Sequence, residues 1–158
     1  MIQGKLLSFG DDLEEVYNIR RKVFVEELNI SEIIEFNQTD KEAIHVLVYE
    51  EISNLYKKEK LAIATGRIEY DGTLCKISHI AVIKEFRRRK YGDFTVRMLI
   101  NKAFTSGIKE VILYSPLELI DFFKTIGFKI NGTISEKDKN LLYIMTIHMN
   151  NIKTLCKK

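Results

Sequence analysis

Four consecutive cationic side chains, followed at once by an aromatic residue and a glycine, form the strongest chemical feature of this sequence. The stretch is KEFRRRKYGDF, residues 84–94, and its members are Arg87, Arg88, Arg89, Lys90, Tyr91, Gly92 and Asp93. An apolar, strand-like run precedes it and a helical pattern begins at Gly92. Because a helix N-terminus presents unpaired N–H groups and a partial positive charge, this placement favours binding of phosphate.

Three interpretations of this basic stretch remain open from spacing alone: a solvated charge run, a phosphate cradle, and a nucleic-acid patch. The net charge of the chain is +3, and the segment from Lys84 to Lys90 alone carries five cationic side chains against one acidic one. The basic excess is therefore local, whereas a general polyanion-binding surface spreads its charge. No nucleic-acid motif or aromatic-interleaved face accompanies it, so we expect no nucleic-acid partner.

The elements that must position this stretch can be predicted from periodicity and turn residues. A first helix starts at Asp11 or Asp12, has apolar residues at Leu13, Val16, Tyr17, Val23 and Phe24, and ends by Asn29, and Ser31–Asn37 forms a second short helix. Strands are predicted at Ile44–Tyr49, Leu61–Tyr70, Leu74–Val82, Val111–Tyr114 and Leu141–Met149, with Glu51–Lys60 as a polar connection. The dipeptide Asp71-Gly72 predicts a hairpin. Further helices are predicted over Gly92–Ser106, with Gly107 as the C-cap, and over Leu117–Thr125.

This element order predicts an α/β class fold, more exactly a mixed α+β sheet whose antiparallel strands come first and which contains one βαβ unit. At 158 residues, with 46% hydrophobic and 30% charged residues, we expect one globular domain over residues 1–158. No run approaches the roughly 20 apolar residues of a membrane helix, so no membrane partner is expected. The two cysteines, Cys75 and Cys156, have no metal-ligand spacing, which predicts free thiols, no metal and a cytoplasmic location.

The segment HIAVIKEFRRRKYGDFTVRMLI, which contains the basic stretch, resembles motif A of the GCN5-related N-acetyltransferases (GNAT superfamily). That motif is a strand, a short loop and then Arg/Gln-x-x-Gly-x-Gly/Ala at the start of a helix. Arg87 matches its first position and Gly92 its last, while Lys90 stands where the middle glycine is usual.

Two further segments resemble the same superfamily in the same order. Downstream, ELIDFFKTIGF is similar to motif B, often written Phe-Tyr-x-x-x-Gly-Phe, with Phe123 at the tyrosine position. Upstream, IRRKVFVEELNISEIIEF, together with HVLVY and ATGRI, resembles a small uncharacterised single-domain branch. The resemblance implies a central twisted, mostly antiparallel sheet with a parallel βαβ unit at the cofactor site, flanked by about four helices.

The resemblance also implies an acetyl-CoA site. Main-chain groups of Ile80, Ala81 and Val82 would pair with the pantetheine as an added strand does. Amides from Arg88 to Asp93 would hold the pyrophosphate. Phe122 and Phe123 would line the thioester end of the cofactor or the pantetheine channel.

Transfer of an acetyl group from a thioester to an amine needs a neutral amine, and an alkylamine of pKa about 10.4 costs about 4.6 kcal/mol to deprotonate at pH 7. A tyrosine at the position of Phe123 often serves the family as acid, and phenylalanine cannot. Tyr114, at the end of its strand, and Ser78, expected on the strand face of Ile80 and Val82, are the candidate catalytic residues. His79 is interpreted as a packed side chain on the other face, and a covalent route through Cys75 is disfavoured because no base is paired with it.

The acceptor is expected to be a small-molecule amine or a protein amino group. Phe24, Glu27 and His45 are the candidate acceptor-binding residues, with Glu27 suited to a cationic acceptor. A homodimer is possible. Two alternatives stay open. One is a non-catalytic acyl-CoA sensor, suggested by Phe123. The other is an acyl-homoserine-lactone synthase, because the segment RRKVFVEEL resembles the N-terminal helix of those enzymes.

Overall fold

The computed structural model describes residues 1–31, 40, 42–135 and 141–151. The strands are β1 Ile2–Leu7, β2 Ile44–Ser53, β3 Lys58–Asp71, β4 Leu74–Val82, β5 Glu110–Ser115, β6 Lys129–Ser135 and β7 Leu141–His148. The helices are α1 Glu14–Arg20, continued by a π-helical turn over Arg21–Glu27, α2 Tyr91–Thr105 and α3 Ile120–Ile126. Short 3-10 turns lie at Lys84–Phe86, Leu117–Leu119 and Met149–Asn151.

The seven strands form one mixed sheet in the order β1-β2-β3-β4-β5-β7-β6. Every neighbouring pair is antiparallel except β4 and β5, which are parallel and are connected through α2. The predicted fold class is therefore confirmed, with three α-helices among the described residues rather than about four. None of the described helices is long and apolar enough to cross a membrane.

Helices cover both sides of the sheet, and each side has its own apolar core. We call the side under α2 and α3 the α2 face, where Val96, Leu99 and Phe123 meet inward residues of five strands. The other side, the α1 face, is packed by Val16, Ile19 and Val23 of the first helix. Alternation along a strand assigns each side chain to one of these faces.

An extra residue in β4 breaks this alternation. Thr65 pairs with Ala81 and Arg67 with Ser78, so His79 and Ile80 lie opposite Gly66 alone. This is a β-bulge, and His79 within it has a φ of 54°, in the left-handed region. The bulge shifts all residues after it to the opposite face relative to simple alternation.

Most predicted elements are present, with instructive exceptions. The predicted polar connection Glu51–Lys60 is wrong, because β2 and β3 extend as a long hairpin whose turn occupies only residues 54–57. The sequence analysis missed β1 and the edge strand β6. The predicted helix Ser31–Asn37 falls almost wholly outside the described residues.

Candidate functional site

The parallel strands β4 and β5 diverge and leave a wedge between them. Their ladder contains only Leu74–Lys76 paired with Glu110–Ile112. Beyond that point β4 stays bonded to β3 as far as Val82, and β5 stays bonded to β7 as far as Ser115. The two facing edges therefore carry backbone groups without a strand partner, which an extended ligand could use as a neighbouring strand would.

The mouth of this wedge is formed by the basic loop and the start of α2. Arg88 and Lys90 both have left-handed backbone conformations, with φ of 64° and 69°. Left-handed residues within such a loop turn successive N–H groups toward one side, which is the geometry of an anion-binding nest. No side chain of the described residues caps α2, whose first intrahelical hydrogen bond runs from the Phe94 amide to the Lys90 carbonyl at 3.0 Å. The conformation of Lys90 also explains why a glycine is usual at this position of the motif.

Residues from three elements meet beside the first turn of α2. A Cβ atom added to Gly92 would lie 3.5 Å from Phe122 Cζ and 3.6 Å from Val82 Cγ2. The end of β4, the start of α2 and one ring of α3 thus surround the same small space.

Phe123 occupies a different environment from Phe122. It is 4% exposed and packs in the core of the α2 face against Phe128, with the two ring centroids 5.8 Å apart. Phe122 is half-buried and is the ring next to Gly92. The expectation that both rings line the cofactor channel is therefore corrected: only Phe122 is placed to do so.

The side chain of Arg87 spans the mouth of the wedge and binds the end of the first helix. Its Nη1 and Nη2 donate to the two carboxylate oxygens of Glu27 at 2.6 and 2.7 Å, and its Nε donates to the Val82 carbonyl at 3.0 Å. These hydrogen bonds hold the pKa of Glu27 below its ordinary value. Glu27 was predicted to bind a cationic acceptor, but both of its oxygens already bind Arg87.

The other side chains of the basic stretch differ in what they contact. Tyr91 is buried and its hydroxyl donates to Glu50 at 2.7 Å, while Asp93 accepts from Arg97 at 2.9 Å. The guanidinium of Arg89 lies over the Phe86 ring. Arg88 and Lys90 are exposed.

A buried ionic network lies on the α1 face below the bulge. One oxygen of Asp40 accepts hydrogen bonds from Arg20 and Arg67, each at 2.7 Å, and all three residues are at most 3% exposed. Burial alone would raise the pKa of Asp40, but the hydrogen bonds and the charges of the two arginines together outweigh it and lower the pKa. Arg67 also binds the carboxylate of Glu69.

Ser78 belongs to this network, so its predicted position was wrong. Its hydroxyl accepts from Arg67 Nε at 3.2 Å on the α1 face, whereas Ile80 and Val82 pack toward the α2 face. The reason is the bulge, which period-2 counting along the strand could not include. The Ser78 hydroxyl contacts Arg67, Glu69 and the His79 ring, so we assign it a structural role.

His79 lies on the α1 face at the bulge, in contact with the first helix. Its ring meets Phe24 edge-on with centroids 5.9 Å apart, and its Nδ1 is 3.1 Å from Ser78 Oγ. Burial, together with the smaller effect of the charges of Arg67 and Arg20, lowers the pKa of His79 to about 3. The imidazole is therefore neutral at pH 7.

His45, a candidate for acceptor binding, is fully buried beneath this network. Its Nε2 is 3.0 Å from the Asp40 carbonyl, and its Nδ1 has no hydrogen-bond partner within the part of the chain that the structure describes. Burial lowers its pKa. A side chain at 0% exposure cannot contact an acceptor, so this prediction is corrected to a structural role.

Tyr114 and Lys76 lie together where the wedge closes. Lys76 and Ile112 are the last ladder pair before the strands diverge, and Tyr114 is two residues further along β5 on the same α1 face. The Lys76 ammonium lies 4.4 Å from the centroid of the Tyr114 ring. The sequence analysis chose Tyr114 but missed Lys76, although counting back from the Asp71-Gly72 turn could have placed it across from Glu69.

Cys75 is excluded as a nucleophile by its surroundings. It is 0% exposed in the core of the α2 face, and burial raises the pKa of its thiol to about 12, with a smaller contribution from Glu69. No group of three His, Cys, Asp or Glu side chains within residues 1–31, 40, 42–135 and 141–151 could hold a metal ion.

The profile described as the Acetyltransferase (GNAT) family matches residues 13–128, which include the wedge, the basic loop and α3. This chain belongs to that family. Among similar proteins, the uncharacterized protein YyaT of Bacillus subtilis is 29% identical over 131 residues, covering 81% of this chain and 83% of YyaT.

Solved GNAT structures share the fold. A protein from Lactobacillus plantarum provisionally classed as an N-acetyltransferase superposes with a TM-score of 0.81 at 19% identity, covering 94% of this chain and 98% of that one. PaiA N-acetyltransferase from Thermoplasma acidophilum, solved in complex with coenzyme A, gives a TM-score of 0.66 at 15% identity over 94% of this chain and 99% of that one.

Proposed function

We propose that this GNAT chain is an acetyl-CoA-dependent N-acetyltransferase that transfers the acetyl group directly to a primary amine of a small molecule or protein. The observation that carries the proposal is the wedge between β4 and β5, which opens onto an uncapped helix N-terminus and a loop with two left-handed residues. One end offers strand-like pairing and the other offers anion-binding amides, which suits a ligand with a pantetheine and a pyrophosphate. The coenzyme A complex of the PaiA relative supports the choice of ligand.

In this proposal each part of coenzyme A has its own residues. Main-chain groups of Ile80, Ala81 and Val82 pair with the pantetheine, and the amides of residues 88–93 hold the pyrophosphate. Phe122 packs beside it. The side chain of Arg87 fixes the loop through Glu27 rather than binding phosphate itself.

Acyl transfer then needs five events at the closed end of the wedge. The nitrogen lone pair of a neutral amine attacks the thioester carbonyl carbon, and a backbone N–H of the diverging strand stabilises the oxyanion. The carbon–sulfur bond breaks, and the thiolate takes a proton from the Tyr114 hydroxyl. The proton that the amine loses returns to Tyr114 through solvent.

The main argument for a non-catalytic sensor was that Phe123 lacks the hydroxyl of the usual tyrosine, and the burial of Phe123 weakens that argument. Its ring is in the core, so the missing hydroxyl leaves no empty place in the wedge. The acid can therefore be Tyr114, and we prefer the enzyme to the sensor.

Gly92→Asp and its control Gly92→Ala test the cofactor site. The Ala methyl group makes ordinary contacts at 3.5 and 3.6 Å, so this variant should fold and bind coenzyme A nearly normally. An aspartate about 4 Å from a phosphate charge costs about 4 kcal/mol at an effective dielectric constant of about 20, and salt and side-chain rotation reduce this to about 2 kcal/mol. Calorimetry should then show about a thirtyfold weaker Kd for Gly92→Asp alone.

Activity is measured by release of free thiol from acetyl-CoA with a panel of primary amines. Thiol release that depends on an amine supports the enzyme. Tight binding of acetyl-CoA without turnover of any amine would favour the sensor instead, and equal Kd values for the two Gly92 variants would show that the cofactor site lies elsewhere.

A further inference from the structure

Lys76 stands at the closed end of the wedge, on the side from which an acceptor would approach. It forms the last ladder pair of β4 and β5 with Ile112, and its flanking residues Cys75 and Ile77 pack into the α2 face. Its side chain therefore points to the α1 face, where it meets Tyr114. Both side chains are half-buried, and the first helix packs over β2, β3 and β4 rather than over β5.

The Lys76 ammonium has no carboxylate partner within 4.0 Å among the described residues. Glu69 is its direct cross-strand neighbour, but the Glu69 carboxylate binds Arg67 and lies near the Ser78 hydroxyl. Glu110, two ladder pairs further back, makes no ion pair with it either. A half-buried cation resting on an aromatic ring is ready to accept an anion from outside the protein.

Two acids on this side of the sheet are already bound by arginines. Glu27 gives both oxygens to Arg87, and Asp40 is shared between Arg20 and Arg67. A second ammonium group on an acceptor would therefore find no free carboxylate among these residues and would be repelled by Lys76.

We propose that the acceptor is an amine that also carries a carboxylate, such as an amino acid, and that Lys76 binds this carboxylate beside Tyr114. The proposal rests on the acetyltransferase function proposed above and names its substrate class. A single ammonium matches a single carboxylate charge, and the position of Lys76 at the end of the wedge brings the amine of such a molecule to the thioester. Diamines and polyamines are selected against by the same charge.

Matched acceptor sets test this specificity. The standard amino acids are compared with their amides and with the amines left after removal of the carboxylate, and putrescine represents the diamines. With saturating acetyl-CoA, we expect kcat/KM for the best amino acid to exceed that of its amide at least about tenfold.

Variants of Lys76 separate charge from packing. Lys76→Arg should keep the preference for the carboxylate, because a guanidinium also binds carboxylates. Lys76→Met should abolish the preference, and Lys76→Glu should reverse it toward putrescine. Affinity for coenzyme A, measured by calorimetry, should stay the same in all three variants, since Lys76 lies on the α1 face and is not among the residues proposed to bind coenzyme A.

A binding measurement keeps this proposal separate from the activity. Protein loaded with coenzyme A is titrated with the amino acid and with its amide, and the amino acid should bind more tightly in a manner that depends on Lys76. If amides or diamines bind and react as well as amino acids, and Lys76→Glu does not alter the ranking, the proposed substrate class is wrong even if thiol release is observed. Intact-mass spectrometry showing an acetyl group on Lys76 itself would also overturn it, because Lys76 would then be an acceptor.

Discussion

Lys90→Gly should make the protein more stable while weakening coenzyme A binding only slightly. Lys90 precedes α2 with φ 69° and ψ 7°, a left-handed conformation that glycine adopts freely. A residue with a Cβ costs about 1–2 kcal/mol there, and glycine loses about 0.5–1 kcal/mol through the greater entropy of the unfolded chain. The net gain of about 0.5–1 kcal/mol corresponds to a Tm rise of about 1–4 °C for a chain of this length.

Lys90→Ala is the matched control for this change. It removes the same ammonium group but keeps a Cβ in the left-handed conformation, so it should not gain stability. Because the Lys90 side chain is exposed, loss of its charge should cost about 1 kcal/mol or less of binding free energy, or about fivefold in Kd, in both variants.

Calorimetry supplies both measurements. Scanning calorimetry gives the Tm values, and titration with coenzyme A at low and high salt gives the Kd values. The charge effect should shrink as salt rises, while the difference in Tm should not. Equal stability of the two variants would refute the claim of backbone strain, and a much larger loss of binding in Lys90→Gly than in Lys90→Ala would refute the claim that main-chain amides hold the anion.

Three further predictions concern buried groups. Asp40→Asn removes the charge shared by two buried arginines and should lower the unfolding free energy by about 3–5 kcal/mol, seen as a lower urea midpoint. The pKa of His79 falls to about 3 on folding, so between about pH 6.5 and that value only the unfolded chain gains its proton, and this group alone should lower stability by about 1.4 kcal/mol per pH unit. His79→Asn, which tolerates a left-handed φ, should reduce the slope in urea unfolding at pH 7, 6 and 5, while the lowered pKa of His45 leaves a residual slope. In the Cys156→Ser variant, Cys75 should not react with Ellman's reagent until the protein unfolds; rapid reaction in the native state would contradict its burial.

Local signals were enough to predict the strand, loop and helix around the basic stretch. The hairpin was equally clear, because Gly72 supplies the positive φ of 62° that the turn between β3 and β4 needs. In both places neighbouring residues decide the structure, so a short window of sequence contains the answer.

The missed strands are decided by distant contacts. β1 contains Gly4, where a side chain would clash with Met98 and Phe94 of α2, which lie directly over it. All residues of β6 are exposed and show no apolar alternation, so only its pairing with β7 defines it as a strand.

The cluster of residues beside Gly92 was predictable from the sequence, and the arrangement on the α1 face was less so. The ionic network joins Arg20, Asp40 and Arg67, residues brought together only by the packing of the first helix on the sheet. The bulge at His79 gave no sequence signal either, and it overturned the predicted face of Ser78.

The single extra residue at His79 divides β4 into two stretches whose side chains alternate between the two faces in opposite order. Before it, Lys76 and Ser78 lie on the face of Tyr114, and Cys75 and Ile77 lie under α2. After it, Ile80 and Val82 lie under α2, and Ala81 lies on the α1 face. Under the proposed function, a substitution at Lys76 therefore changes the surroundings of the acceptor, whereas a substitution at Ile80 or Val82 changes those of coenzyme A, within one nine-residue strand.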